Sequence, residues 1–363
     1  MINIQRYHDA GFTTSQIRAL ERLLEENPLH WIQINNESGI YELVLDNQMM
    51  SDFRSCPAYF IEAHVKGIVG KGRSFDLDFG LLFHSMMEQY YREFRTPGFN
   101  VQNWAINTAV REWAKRDMNF HSEHKTYKVV GGVMGFVAIL IAYANRFGAE
   151  NERLRVIGTE ISFGHKKEVE LGTIWLPYRP EGTAPYLMLY LSGRIDVLVD
   201  DGTSIAPLDH KTMSQIKYGP TIRFEVDSGP TGYIYAISKI LPSLTNDRLL
   251  LNRSCNKIIM NFISKTPTKD EKDRFKRIPI MKTQEQLESY RQRMLLTGEA
   301  IFRTLIQYAS YGIVMQDTSK CTNWYMHDCL FLPIHRQNSK ENELLIINQF
   351  YDKRPIWNTE EVR

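Results

Sequence analysis

The stretch Gly193-Arg194-Ile195-Asp196-Val197-Leu198-Val199, an Asp200-Asp201-Gly202 turn, and then Asp209-His210-Lys211-Thr212 leave few folds open. Apolar residues on both sides of an Asp-Gly pair predict two antiparallel strands joined by a tight hairpin. Strand side chains alternate faces, so Asp209 and Lys211 point the same way. With Asp201-Gly202 as a two-residue loop, Asp196 falls opposite Pro207, and Asp209 is its diagonal neighbour on the same face. Two such carboxylates make a hard-oxygen site for Mg²⁺ or Mn²⁺, to which the intervening His210 can add its backbone carbonyl. A lysine ammonium alongside can orient an attacking water or offset charge on a phosphorane-like transition state. Pro207 has no N–H to donate, so the ladder is expected to loosen just before Asp209. A slip of one residue would turn Asp196 to the opposite face and remove the site.

The acid-x-Lys pattern alone is weak. Glu123-His124-Lys125 and Asp270-Glu271-Lys272 repeat it in polar surroundings, where a solvated ion pair is the simpler reading. Only the copy at 209–211 has an apolar strand, a turn and a second aspartate upstream. Another piece precedes it. Phe79 to Tyr91 contains no breaker after Gly80 and reads as a helix with His84, Glu88 and Tyr91 on one face. Neutral imidazole is a good ligand for a divalent metal, and Glu88 could orient it as an outer acceptor. The competing reading of His84 is a satisfied residue of an apolar helix.

Gly80-x3-His84-x3-Glu88, then Glu160, then Gly193-x2-Asp196, then Asp209-x-Lys211 resembles the PD-(D/E)XK nuclease superfamily, and within it the RecB-like and Cas4-like branch. Ser51-x4-Cys56-Pro57-x2-Phe60 is similar to that branch's early cysteine segment. Thr231 to Ala236 is similar to the helix of its Gln-x3-Tyr motif, and the Cys321 and Cys329 region to its late cysteine cluster. The resemblance spans roughly residues 50 to 336. It implies a restriction-endonuclease-like α/β (α+β) fold, a mixed sheet flanked by helices. It further implies that His84, Asp196, Asp209 and the His210 carbonyl hold Mg²⁺ or Mn²⁺ and that Lys211 serves the attacking water. Tyr233 would contact DNA or shape the site. Glu160 would be an accessory acid or an edge-strand charge. Two features depart from the pattern. Gly229 stands where the glutamine belongs, and His335 stands where the last cysteine would fall. Cys56, Cys321, Cys329 and His335 could hold a [4Fe–4S] cluster or Zn²⁺, or be ordinary thiols left from such a site.

Four cysteines in 363 residues, without a secretory signal, fit a reducing cytoplasm, that of a bacterium or a phage-infected cell, rather than a disulfide framework. Cys255 reads as a small buried hydrophobe on a core strand. A chain with 43% hydrophobic and 24% charged residues describes a globular protein. Val129 to Ala144, the longest apolar stretch, reads as a buried helix rather than a membrane span. A net charge of +2 gives no strong overall field, so DNA contact would depend on local patches at Lys66 to Arg73, Arg111 to Arg116 and Lys265 to Arg277. The expected layout is an N-terminal helical and strand extension at 1–49 and a nuclease core at 50–282 with a helical insertion near 100–150. A C-terminal helix and cysteine-containing segment at 283–363 packs back on that core. Expected helices include Thr14 to Glu26, capped by Thr14 or Ser15, and Thr283 to Tyr311.

These readings converge on a metal-dependent DNA nuclease, an exonuclease hydrolysing phosphodiesters by a metal-activated water in repair, recombination or phage DNA processing. The alternatives are a catalytically silent DNA-binding scaffold on the same fold, or a nicking endonuclease or RNase. Partners would be single-stranded DNA or duplex ends and a helicase or recombination protein. A motor would come from elsewhere, because no Gly-x4-Gly-Lys-Ser/Thr motif is present.

Overall fold

Local chemistry sets where the elements begin. Thr13, not Thr14 or Ser15, caps the first long helix. Its hydroxyl accepts from the Gln16 N–H while the Gln16 amide oxygen accepts from the Thr13 N–H, a reciprocal capping box. Ser74 caps the helix that carries His84, with Asp76 and Asp78 complementing its N-terminal dipole. That cap moves the start to Phe75, ahead of the stretch from Phe79 expected as helix. The helical run on either side of Cys56 is broken. Pro57 begins a new turn after Cys56, and Ile61–Val65 is a π-helical turn.

The computed structural model describes residues 7–353 except 9, 36, 176–185, 217–221, 269 and 322–327. Residues 354–363 of the expected C-terminal segment, and those between Cys321 and Asp328, therefore lie outside the described residues. In chain order the strands are β1 (Ile32–Ile34), β2 (Tyr41–Asp46), β3 (Ile68–Gly70), β4 (Arg155–Phe163) and β5 (Glu170–Ile174). They continue with β6 (Leu187–Asp200), β7 (Ile205–Met213), β8 (Lys257–Ser264), β9 (Phe275–Met281) and β10 (Tyr351–Lys353). Four helices matter below: α1 (Phe75–Glu93), α2 (Gly132–Asn151), α3 (Ser228–Leu244) and α4 (Gln284–Tyr311).

The chain forms two compact units that alternate along the sequence. One comprises residues 1–72, 163–193 and 288–363, the other residues 73–162 and 194–287. The stretch expected as a core at 50–282 thus contributes to both. In the first unit β2 runs parallel to the first half of β6, with β1 antiparallel on β2 and β5 antiparallel on β6. A separate ribbon pairs β3 with β10 and packs Ile68 and Tyr351 with Phe331 and Ile334.

The second unit holds the hairpin. The second half of β6 pairs antiparallel with β7, β7 runs parallel to β8, and β8 pairs antiparallel with β9. Helices α1 and α2 bury Phe79, Phe83, Met86, Phe136, Tyr143 and Phe147 in one apolar cluster with Val197, Val199, Ala206 and Leu208 of the hairpin. Helix α2 is long and apolar enough, by length and composition, to cross a bilayer. Its apolar face is nevertheless part of that core. Gly131, at φ +84°, separates α2 from the turn before it, and a Cβ on Gly135 would collide with the Val130 carbonyl oxygen.

The hairpin differs from expectation in one respect. Val197 pairs with Leu208, Leu198 with Pro207 and Asp200 with Ile205, so the loop is the four residues 201–204. Asp201 closes it. Its carboxylate accepts from the Thr203 and Ser204 N–H groups, and its own N–H donates to the Ser204 carbonyl at 3.2 Å. Because the register moves by two, every side chain keeps its face. Asp196, the next position in register, comes opposite Asp209 instead of Pro207.

Candidate metal centre

The acids and the imidazole meet inside the second unit. His84 Nδ1 lies 3.1 Å from Asp196 Oδ2, and the same oxygen accepts the His210 backbone N–H at 2.8 Å. One ligand atom each from His84, Glu160 and Asp196 lies within 4.8 Å of the others. Among the described residues no other set of three or more such donors converges this closely. Two carboxylates and an imidazole are a donor set for a divalent first-row metal or Mg²⁺.

Glu160 reaches this point from β4 with its own backbone at φ +48°, a region that non-glycine residues occupy rarely and at a cost. Arg194 clamps it, Nε to Oε2 at 2.8 Å. Asp209 and Lys211 form the other half of the site. Lys211 Nζ donates to Asp209 Oδ1 at 3.1 Å and lies 2.8 Å from Oδ2. That second oxygen is buried and accepts no in-line hydrogen bond among the described residues. Carboxylates and an imidazole converging beside a buried carboxylate–ammonium pair are the donors a divalent ion takes, so the set fits such an ion.

The charges are strongly coupled. Burial opposes protonation of His84, but the Asp196 carboxylate outweighs it and raises the imidazole pKa. Burial would likewise raise Asp196, yet His84 beside it holds the carboxyl well below its usual range. Burial lifts Asp209 against the pull of Lys211, with Asp196 adding to the rise. It also pushes Glu160 up to about 7, with Arg194 working the other way. Lys211 is raised, because Asp209 more than offsets its burial, so it remains an ammonium.

Other expected site residues fall as follows. Glu88 pairs with Arg92 one turn on, at 2.5 Å, rather than with the imidazole, which faces Asp196. Tyr233, on α3, is half-buried and close enough to Lys211 to favour its charge. Farther along α1 and β4, a cavity of about 490 Å³ is lined by Tyr91, Arg92, Arg95, Val156, Gly158 and Thr159, giving it a positive rim.

In the first unit, Cys56 Sγ accepts the Asp317 N–H at 3.5 Å, and the Cys329 N–H donates to the Cys321 carbonyl at 2.8 Å. Burial raises the Cys329 thiol, and among the described residues Cys56, Cys321 and Cys329 do not bring their sulfurs within 4.8 Å of one another. His335 Nε2 instead faces Glu62 at 3.9 Å. Cys255 is half-buried and precedes β8 rather than lying on it.

The model of the PD-(D/E)XK nuclease superfamily matches residues 48–322. The chain belongs to this superfamily. Among curated proteins none matches it. Membership makes the chain's mixed sheet and helices a restriction-endonuclease-like α/β fold, and such nucleases use divalent metals. Two contributors escaped the reading of the PD-(D/E)XK sequence motifs. Arg194 alternates with Asp196 along β6 and so shares its face, a signal that was present. The positive φ falls on Glu160 itself, whereas the only bend signal in β4 is Gly158, two residues earlier.

Proposed function

We propose that this PD-(D/E)XK protein is a metal-dependent exonuclease of the RecB-like and Cas4-like branch, hydrolysing phosphodiester bonds of DNA from its ends. The observation that carries the reading is the convergence of His84, Glu160 and Asp196 beside the Asp209–Lys211 pair. His84, Glu160, Asp196 and Asp209 would hold Mg²⁺ or Mn²⁺. When bound there, such an ion lowers the pKa of a water and offsets charge on the scissile phosphate. Lys211, kept protonated by Asp209, cannot take a proton in that state. It donates a hydrogen bond to the attacking water or to a phosphate oxygen and stabilises the charge that develops there. Asp196 keeps His84 in place through Nδ1. Arg92 and Arg95 offer the strand a positive path away from the acids. Four thiols, none disulfide-bonded, are in keeping with a reducing cytoplasm.

Incubating the protein with end-labelled linear DNA and with covalently closed circles, in Mn²⁺ and in EDTA, tests the proposal. Release of nucleotides from the linear substrate only, and only with metal, is expected. Cleavage of circles would make it an endonuclease. No product from either would favour a silent scaffold.

A further inference from the structure

Next to the acids lies a row of polar side chains that the chemistry above does not use. His210, Asn261 and Arg277 are register partners on β7, β8 and β9. His210 and Asn261 are fully buried, and the Arg277 side chain is only 11% exposed. Asn261 Nδ2 lies 2.7 Å from His210 Nδ1 and 2.8 Å from the Tyr143 hydroxyl. Arg277 donates to the hydroxyls of Tyr91 and Tyr143 and to Asn151 Oδ1, at 2.9, 3.0 and 2.7 Å. Its guanidinium sits 3.9 Å over the Phe147 ring and pairs with Glu150 at 3.2 Å. Arg277 is therefore an internal residue, and the surface patch expected at Lys265 to Arg277 shrinks further because Lys265 and Arg274 are buried too.

Burying three polar residues abreast is costly, the more so because His210 Nε2, Asn261 Oδ1 and Arg277 Nε lack partners among the described residues. An apolar row would pack as well at lower cost. The row ends at the site. The His210 imidazole is boxed in by Phe83, Tyr91 and Tyr143, and the His210 N–H is the group that donates to Asp196 Oδ2. A fixed imidazole fixes the His210 backbone, and so the direction of that N–H. Turning the Asn261 amide over exchanges donor for acceptor but keeps it bonded to the imidazole.

Resting on the nuclease reading above, we propose that Asn261, braced by Tyr143 and Arg277, is a positioning residue that aims the Asp196 carboxylate at the cation through His210. Outer partners of this kind change metal affinity or activity by about 10–100-fold when lost. The test compares wild type, Asn261→Leu and Tyr143→Phe by thermal melting, Mn²⁺ titration calorimetry without nucleic acid, and steady-state cleavage of linear DNA. Asn261→Leu should fold, bind Mn²⁺ about 10–100-fold more weakly, and lose kcat with KM for DNA unchanged. Excess Mn²⁺ should restore the rate, which a merely structural defect would not allow. Tyr143→Phe should shift both quantities the same way by less. A folded Asn261→Leu with wild-type Mn²⁺ affinity, or with a rate that excess Mn²⁺ does not recover, overturns the proposal. If that variant does not fold, wild-type Mn²⁺ affinity in Tyr143→Phe overturns it instead. A wild-type protein that neither binds Mn²⁺ nor cleaves DNA would defeat the nuclease reading itself.

Discussion

Lys211→Ala and Asp209→Ala should each lower cleavage at saturating Mn²⁺ by at least about 10³-fold while the protein stays folded. Single preorganised donors facing developing charge are worth about 10²–10³-fold, and Lys211 is a full cation held against the buried Asp209 carboxylate. Asp209 fills two roles. Both its oxygens hold the Lys211 ammonium, and its carboxylate would also serve as a ligand to the metal. Removing Lys211 leaves the Asp209 charge buried without its cation, which strains the fold as well as the chemistry. Lys211→Met and Asp209→Asn keep volume and shape and therefore separate the effects. Both should retain a cooperative melt and neither should retain activity. Mn²⁺-dependent cleavage persisting in both would remove the pair from the reaction.

Asp196→Ala should be the most severe change at the centre itself. One carboxylate oxygen serves the His84 imidazole and the His210 N–H at once. Its loss removes a candidate ligand, frees His84 to turn, and leaves the buried His210 N–H without its acceptor, a penalty of about 1–3 kcal/mol. Mn²⁺ affinity should fall by more than about 100-fold, beyond what loss of an outer partner costs. The His84 pKa should drop, because Asp196 is what raises it. The signs can be followed by histidine NMR. The raised His84 pKa stabilises the fold below the imidazole's ordinary pKa, and that contribution fades as pH rises through the folded value. The depressed Asp196 pKa stabilises above the ordinary carboxylate range and is lost in acid. The pair therefore contributes most between those limits, and Asp196→Ala should flatten stability across that window. An unchanged His84 titration would contradict the contact.

Much of this site could be read from residue order. The hairpin announces itself through alternation and the Asp-Gly turn, and Asp196, Asp209 and Lys211 follow from its pleat. The loop length did not follow, because Asp201 uses its side chain to cap Thr203 and Ser204 in place of a two-residue turn. The error left the faces intact only because it was even. Helices α1 and α4 were legible from apolar spacing, and α3 from its likeness to the Gln-x3-Tyr helix. Strands β1, β3 and β10 are three residues each, too short to carry a period. Arg277 looked like surface because charge in a sequence is normally solvated. Only the register that sets it beside Asn261 shows otherwise. Glu160 could be placed on a strand, but its turn toward His84 depends on one unusual backbone angle.

The most direct test of the centre is an anomalous difference map from crystals soaked in Mn²⁺. A single strong peak bounded by His84, Glu160 and Asp196, with Lys211 nearby, is the predicted result. A map with no peak there, or with manganese bound elsewhere in the molecule, would contradict it.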